Sequence, residues 1–143
     1  MTTVRQLLDG KSPEVHAVPP DAAVIDAIRM MAEKGIGAVL VMEGPRLAGI
    51  LSERDYARKI VLRERSSRDT PVADIMTSQL VTVAPGEAVE RCLQLVTEHR
   101  IRHLPVVDGS SVVGVISIGD LVKAIIDAQQ RELAHLQQYI VAG

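Results

Sequence analysis

The sequence predicts an α+β fold made of two β-α-β-β-α repeats, with small sheets that carry helices on one face. Three observations lead to this prediction. An internal repeat runs through most of the chain, each copy contains one helical and two strand-like apolar patterns, and 143 residues with 47% hydrophobic content can bury a core. One unit of about 50 residues is too small to bury both faces of its sheet alone. The two copies are therefore expected to pack together.

The repeat keeps one offset over most of its length. From about Val15 to Val61 the first copy aligns without a gap to residues 65 positions later. The segments VRQLL and VADIM, which start at Val4 and Val72, match at an offset of 68, so the spacer after them differs by three residues. We therefore divide the chain into a first repeat with its N-terminal segment (residues 1–66), a second repeat (67–130) and a C-terminal helical tail (131–143).

Each repeat is expected to begin with a short strand and a helix. β-like stretches lie at residues 15–18 and 80–83, and each precedes a turn at Pro20 or Pro85. Asp21 is predicted to cap the first helix, because Asp accepts hydrogen bonds from the free N–H groups of a helix start. Apolar residues at i, i+3, i+4 and i+7 then indicate a helix with one buried face. They are Val24, Ala27, Ile28 and Met31 in the first copy, and Val89, Cys92, Leu93 and Val96 in the second.

Two strands and a second helix complete each repeat. Apolar runs at residues 38–42 and 47–51, and again at 103–107 and 112–116, flank short Gly-containing turns and so predict hairpins. The second helix follows at Ser52 or Ser117. Residues 63–71 are polar and charged, which predicts an exposed linker.

The C-terminal segment predicts a long helix with an apolar stripe. No Gly or Pro occurs from residue 120 to residue 142, so the last helix is expected to run to about Tyr139 or to continue after a break. Leu133, Leu136 and Ile140 recur at spacings of three and four. This stripe is expected to pack on its own domain or against the same helix of a second chain.

The composition argues against several classes of protein. The chain has no Trp or Phe, only two Tyr and a net charge of −2, whereas nucleic-acid binders use aromatic stacking faces and a basic surface. The longest apolar run, residues 35–42, is too short to span a membrane, and the first residues do not resemble a secretory signal. The lone Cys92 cannot form an intramolecular disulfide, which together with the lack of a secretory signal predicts a cytoplasmic protein. The composition as a whole predicts no membrane or nucleic-acid partner.

Several reactive residue types have ordinary structural interpretations. Cys92 lies in the helical stripe, which favours a small buried residue over a nucleophile. The four His show no zinc-binding spacing and no second Cys is present, so no metal site is predicted. Acidic residues interrupt the basic segment 58–68, which favours a solvated face over a nucleic-acid patch.

The most informative pattern is Ser-x-x-Asp, which follows a strand-like run in both copies, as Ser52 to Asp55 and as Ser117 to Asp120. One interpretation is structural, because Ser followed three residues later by an acid resembles a helix capping box. The other is ligand binding. Free N–H groups at a helix start bind phosphate, and a carboxylate accepts hydrogen bonds from paired ribose hydroxyls. Arg54 would add a phosphate contact in the first copy only.

The duplicated pattern resembles a tandem pair of CBS (cystathionine β-synthase) domains, known as a Bateman module. The resemblance covers nearly the whole chain and rests on the β-α-β-β-α duplication, the segments RHLPVVD (102–108) and VGVIS (113–117), and both Ser-x-x-Asp motifs. It implies a pseudo-twofold module whose two clefts between the repeats bind adenosine-containing ligands such as AMP, ADP, ATP, NAD or S-adenosylmethionine. In such modules the Asp holds the ribose, a Ser or Thr lies near phosphate, and the base sits in an apolar pocket.

The resemblance also implies which residues form each cleft. The first would use Asp55, Ser52 and Arg54 with Val15, Ala17, Gly37 and Ala38, and the second Asp120 and Ser117 with Thr77, Leu80, Thr82, Arg102 and His103. The two clefts are chemically unequal, so they are expected to differ in affinity or ligand, or one of them to be empty. Two alternatives stay open: Arg102 or His103 reaches a phosphate bound mainly by the other copy, or His103 is only structural.

Three functions are compatible with these patterns. The first is a stand-alone, non-catalytic sensor that binds an adenosyl ligand as a regulatory molecule, forms a homodimer and signals to an unidentified effector protein. The second is a constitutive dimeric scaffold with vestigial sites. The third, an enzyme of nucleotide metabolism, is disfavoured because the repeats account for the chain and leave no triad or P-loop, so no catalytic residue and no catalytic cofactor are predicted.

Overall fold

The computed structural model describes residues 2–11 and 14–142 of the chain. The elements are α1 (Val4–Asp9), β1 (Ala17–Val18), α2 (Val24–Lys34), β2 (Ala38–Glu43), β3 (Arg46–Ser52), α3 (Glu53–Tyr56) with a π-helical turn (Ala57–Val61), a 3-10 turn (Val72–Asp74), α4 (Val89–His99), β4 (His103–Asp108), β5 (Ser111–Ser117) and α5 (Ile118–Ala142). The mixed fold with small sheets and two similar halves is the predicted one.

The chain forms two compact units, which we name after the aspartate that each contains. The Asp55 unit comprises residues 14–81 and 109–112, and the Asp120 unit comprises residues 2–11, 82–108 and 113–142. Each unit therefore includes the segment that precedes the other repeat in the sequence. This division differs from the repeat boundaries, which place residues 1–66 in one body and 67–130 in the other.

Backbone hydrogen bonds explain the exchange of these segments. In the Asp55 unit, residues 70–73 bind the turn before α2, and in the Asp120 unit residues 2–5 bind the turn before α4 in the same pattern. The equivalent bonds are Val72 N to Ala22 O (2.8 Å) and Val4 N to Glu87 O (2.9 Å), and Ala73 N to Pro20 O (2.9 Å) and Arg5 N to Pro85 O (2.8 Å). The segments VRQLL and VADIM, which match at an offset of 68, are thus structurally equivalent in the two units.

The same segments satisfy the helix starts, so the predicted cap at Asp21 is wrong. Helix α2 begins after Ala23, which makes no side-chain cap. The Val24 N–H instead donates to the Thr70 carbonyl (2.9 Å), and the Val89 N–H of α4 donates to the Thr2 carbonyl (3.0 Å). Backbone carbonyls therefore fill the role that a capping side chain usually has.

The Asp55 unit is built on a three-stranded sheet in the order β1-β2-β3. β1 runs parallel to β2, and β2 pairs antiparallel with β3, with an irregularity between Val41 and Met42. Helix α2 packs on β2 through its predicted apolar stripe. The core consists of Val18, Val24, Ala27, Met31, Val39, Val41, Ala48, Leu51, Ile60, Val72 and Ile75. Of the exposed linker predicted at residues 63–71, residues 63–66 are exposed, but Thr70 is buried because its segment packs at the start of α2.

The Asp120 unit contains β4 and β5 from Val113 onward, which pair as a two-stranded sheet, with α4 packed against β4 and α5. The strand predicted at residues 80–83 is reduced to one parallel bridge between Val83 and Val106. Pro105 explains the difference. Its equivalent in the first copy is Leu40, whose N–H donates to the His16 carbonyl (3.0 Å) and so extends the pairing of β1 with β2. Proline has no N–H to donate.

Helix α5 is one uninterrupted helix from Ile118 to Ala142. Its stripe residues Leu133, Leu136 and Ile140 are 58%, 51% and 75% exposed, so no described residue of the same chain covers them. Within residues 2–11 and 14–142, no helix combines the length and the apolar character needed to cross a bilayer.

Two equivalent glycines allow the exchanged segments to approach β3 and β5, and we expect them to differ in sensitivity. A Cβ on Gly49 would lie 2.8 Å from the Thr77 carbonyl oxygen, a backbone atom, whereas one on Gly114 would lie 2.6 Å from the end of the Leu8 side chain. Gly49→Ala should lower the free energy of unfolding by about 1–3 kcal/mol and Gly114→Ala by less, because the end of a leucine can rotate away. Denaturant titration tests this, with Gly86→Ala as the control, because a Cβ there meets no atom within 4 Å. Equal losses in the Gly49 and Gly86 variants would contradict the proposed close approach.

Candidate functional site

Both Ser-x-x-Asp motifs form the same corner between a strand and a helix. Ser52 ends β3 and caps α3: its Oγ accepts the Asp55 N–H (3.1 Å), and Asp55 Oδ2 accepts the Ser52 N–H (3.0 Å). Ser117 and Asp120 repeat this arrangement at 3.1 Å and 2.9 Å. The capping interpretation is confirmed in both copies. It does not exclude ligand binding, because each carboxylate can accept further hydrogen bonds.

The residue before the central strand closes each corner. The Glu53 N–H donates to the Gly37 carbonyl (3.0 Å), and the Ile118 N–H donates to the Arg102 carbonyl (2.8 Å). Because these donors are the first N–H groups of the two helices, Gly37 and Arg102, which belong to the predicted site sets, lie beside the helix starts.

In the Asp55 unit, the chain's own donors contact both oxygens of Asp55. Oδ1 accepts from Thr77 Oγ1 (3.2 Å) and lies 3.1 Å from Lys59 Nζ, while Oδ2 accepts from Ser52. Lys59 also donates to the Ile75 carbonyl (2.9 Å). The Asp55 side chain is 13% exposed, so its carboxylate is largely committed to this network.

In the Asp120 unit, the carboxylate is more available. Lys11 Nζ lies 2.7 Å from Asp120 Oδ2 and donates a second hydrogen bond to the Val115 carbonyl (2.9 Å). The Ser117 N–H donates to the same Oδ2. Among the described residues, the hydrogen bonds with Lys11 and the Ser117 N–H reach Oδ2 and not Oδ1, the Ser117 hydroxyl adds a weaker interaction with the carboxylate, and the Asp120 side chain is 26% exposed.

The charges around Asp120 shift two pKa values. Burial alone would raise the pKa of Asp120, but hydrogen bonds from the Lys11 ammonium and the Ser117 backbone hold it below its ordinary value. The pKa of His103 is lowered, mainly because burial disfavours the imidazolium and also because Lys11 and Arg102 repel its charge, which outweighs the attraction of Asp120. At neutral pH, Asp120 is therefore ionised and His103 is neutral.

The structure changes one grouping of the predicted site residues. Thr77, expected beside Asp120, hydrogen-bonds to Asp55, and Leu80 belongs to the same Asp55 unit. The reason is the exchange of segments, which brings residues 67–81 into the unit of the first repeat. Thr82 lies in the Asp120 unit and is exposed.

The other predicted residues lie in the expected units. Ala38 pairs with Ser52 across β2 and β3, while Val15 and Ala17 lie one strand further away, before and within β1. Arg54 follows Ser52 in the first turn of α3 and is half-buried. His103 begins β4, close enough to Asp120 for that carboxylate to oppose the lowering of the His103 pKa.

Two lysines that contact the aspartates were not predicted. Lys59 is four residues after Asp55, a spacing that places both side chains on one helix face and could have revealed the pair. Lys11 is 109 residues from Asp120, and only the exchange of segments brings them together. No local sequence signal identifies that contact.

Cys92 has the properties of a structural residue. It is fully buried in α4, and burial together with Glu87 and Glu90 raises the pKa of its thiol to about 11. A thiol of this kind is a poor nucleophile at neutral pH. Across residues 2–11 and 14–142, no group of three or more His, Cys, Asp or Glu side chains is arranged to hold a metal ion.

Known proteins resemble the chain along most of its length. The sequence profile of the CBS domain matches residues 4–62 and 72–127. The CBS domain-containing protein CBSX3, mitochondrial, of Arabidopsis thaliana is 44% identical over 128 residues, which cover 86% of this chain and 62% of that relative. The CBS domain-containing protein YhcV of Bacillus subtilis is 34% identical over 113 residues, covering 79% of this chain and 80% of YhcV. The chain thus spans less than two thirds of the length of the Arabidopsis relative.

Solved structures give the same result. A protein with CBS domains from Burkholderia ambifaria is 53% identical and superposes with a TM-score of 0.86, over 90% of this chain and 96% of that one. The CBS domain pair of MJ0100, solved with 5′-methylthioadenosine and S-adenosyl-L-methionine, is 22% identical with a TM-score of 0.77, over 89% of this chain and 98% of that one, and shares the fold. With two family matches and two equivalent capped corners, the chain belongs to the CBS domain family.

Proposed function

We propose that the protein is a non-catalytic sensor that binds an adenosine-containing ligand and passes the bound state to a partner protein. The ligand class is that of AMP, ADP, ATP, NAD and S-adenosylmethionine. The observation that carries the proposal is the Asp120 corner, where an ionised carboxylate at a helix start binds Lys11 and the Ser117 N–H through Oδ2 and keeps Oδ1 available. Paired ribose hydroxyls are donors suited to that oxygen.

Two further observations support this ligand class. The fold is shared with a CBS pair that was solved with two adenosyl compounds. The same carboxylate lies in the first turn of α5, and the positive end of the helix dipole favours anionic groups such as phosphate.

A sensor also needs two arrangements of the protein that differ in affinity for the ligand. A ligand that binds both arrangements equally shifts no population, however tightly it binds. Asp120 is the third residue of α5, so ligand contacts at this corner act directly on the start of a 25-residue helix. We propose that the position of α5 is what the partner protein reads.

A second candidate function, a constitutive dimeric scaffold, is favoured by the exposed face of α5. Ile126, Leu133 and Ile140 are spaced seven residues apart, with Leu136 between the last two. They are all exposed within the single chain. Apolar residues at such three- and four-residue spacings form the seam of paired helices. We propose that this face pairs with α5 of a second copy, in a sensor or a scaffold.

The sensor proposal predicts ligand-dependent thermal stability. At 100 times its dissociation constant, a ligand that binds only the folded state adds about 2.7 kcal/mol of stability. For a chain of this length the melting temperature should rise by roughly 5–10 °C. Differential scanning fluorimetry with AMP, ADP, ATP, NAD and S-adenosylmethionine tests this, with guanine nucleotides for comparison. If none of these compounds moves the transition, the scaffold is the better description.

The two aspartates should differ in their effect on binding. Asp120→Asn keeps a capping oxygen but removes the charge that would hold ribose, so the dissociation constant of a bound nucleotide should rise about ten- to a hundredfold. Asp55→Asn should change it by less than threefold, because the chain's own donors already occupy that carboxylate. Calorimetric titration of both variants separates these outcomes. A large loss in the Asp55 variant alone would move the ligand to the Asp55 unit.

Self-association should depend on the α5 stripe. The wild-type chain is expected to sediment with the mass of two chains, and Leu136→Glu to sediment as one, because a buried unpaired charge opposes helix pairing. Gln137→Glu, on the same exposed turn, is the matched control and should stay dimeric. A dimer that survives Leu136→Glu would place the interface elsewhere.

A further inference from the structure

We propose that Lys11 makes the Asp120 unit selective for adenosyl ligands that carry negative charge, and so favours nucleotides over nucleosides and over the cationic sulfonium of S-adenosylmethionine. The inference rests on the proposed function and adds the ligand's charge class and the residue that reads it. It is carried by the position of Lys11, a residue of the exchanged N-terminal segment.

Lys11 is held at the corner by two acceptors. Its ammonium contacts Asp120 Oδ2 (2.7 Å) and the Val115 carbonyl (2.9 Å), which together fix the charge beside the carboxylate. An ammonium has three N–H donors, so one donor remains after these two contacts. Lys11 uses only Oδ2, and a ribose can therefore bind Oδ1 without displacing it. A ligand held by Asp120 would lie next to a fixed positive charge.

The charges around the corner sum to a positive value. Lys11 and Arg102 are cationic, Asp120 is anionic, and His103 is neutral at pH 7 because its pKa is lowered. Lys11 contacts Asp120, the Arg102 carbonyl accepts the Ile118 N–H, and His103 follows Arg102 in the chain, so the four residues lie around one corner. A neutral nucleoside leaves this excess positive charge uncompensated, a phosphate compensates it, and a sulfonium increases it.

The Asp55 unit lacks this arrangement. Its Lys59 is balanced by Asp55, and both oxygens of that carboxylate already accept from the chain. The first copy has Gly37 at the position equivalent to Arg102, and its additional cation, Arg54, already interacts with another group of the protein. Selection for an anionic ligand is therefore assigned to the Asp120 unit.

The experiment compares AMP with adenosine, which differ only in the phosphate. Both are titrated calorimetrically into the full chain and three variants. In the wild-type chain AMP should bind at least about tenfold more tightly than adenosine. Lys11→Met should reduce this ratio about tenfold while leaving adenosine binding within a fewfold. Lys11→Arg, which keeps the charge, should retain most of the ratio. Arg131→Met removes one exposed charge from the same unit, 11 residues further along α5 than Asp120, and should leave the ratio unchanged.

The outcomes separate this inference from the proposed function. If circular dichroism shows that Lys11→Met is folded and the variant keeps the wild-type ratio of AMP to adenosine affinity, Lys11 does not select for ligand charge. The protein would in that case still bind adenosyl ligands. Equal wild-type affinities for AMP and adenosine also overturn the inference alone. If neither compound binds the wild-type chain, the proposed function fails, and the inference fails with it.

Discussion

The fold depends on satisfying the first backbone N–H groups of α2 and α4. Neither helix has a capping side chain, and a helix start that is left without acceptors is costly. Carbonyls at Thr70 and Thr2 supply acceptors, so each unit needs the segment that precedes the other repeat. Because residues 67–77 and 2–11 are held for this reason, they also deliver side chains to the two aspartates: Thr77 to Asp55 and Lys11 to Asp120. A requirement of the backbone thus determines the chemistry of both corners.

The two corners show how duplicated geometry acquires different chemistry. Ser52 with Asp55 and Ser117 with Asp120 cap their helices in the same way, so the fold requires both motifs whether or not a ligand binds. The difference lies in the lysine. Lys59 comes from the same helix as Asp55 and joins a closed network, whereas Lys11 comes from a distant segment and leaves one oxygen of Asp120 available. The presence of the Ser-x-x-Asp motif in both copies is therefore weak evidence for ligand binding. The contacts that differ between the two corners are more informative.

Much of the fold followed from sequence patterns, and the exceptions have identifiable causes. Local residue spacing determines the apolar stripes of α2 and α4, the hairpins and the Ser-x-x-Asp corners. The internal repeat shows each of these patterns twice, which strengthened the predictions. The strand predicted at residues 80–83 is reduced to one bridge because Pro105 has no N–H to donate to it. The predicted Asp21 cap is wrong because the distant Thr70 carbonyl accepts the first N–H of α2. The hydrogen bond from Thr77 to Asp55 was not predicted, because segment exchange has no local signature in the sequence. Lys11 was missed for that same reason.

Helix α5 links the candidate site to the exposed stripe. The family match ends at residue 127, but the helix continues without a break to Ala142, and it is about 37 Å long. Asp120 lies in its first turn, while Leu133, Leu136 and Ile140 lie in its second half. A continuous helix moves as a rigid body over this distance more readily than it bends, so a small rotation at its start produces a larger displacement of the stripe. If a ligand binds at Asp120 and α5 pairs with a second copy as proposed, both events depend on the position of one helix, and by linkage each affects the free energy of the other to the same extent.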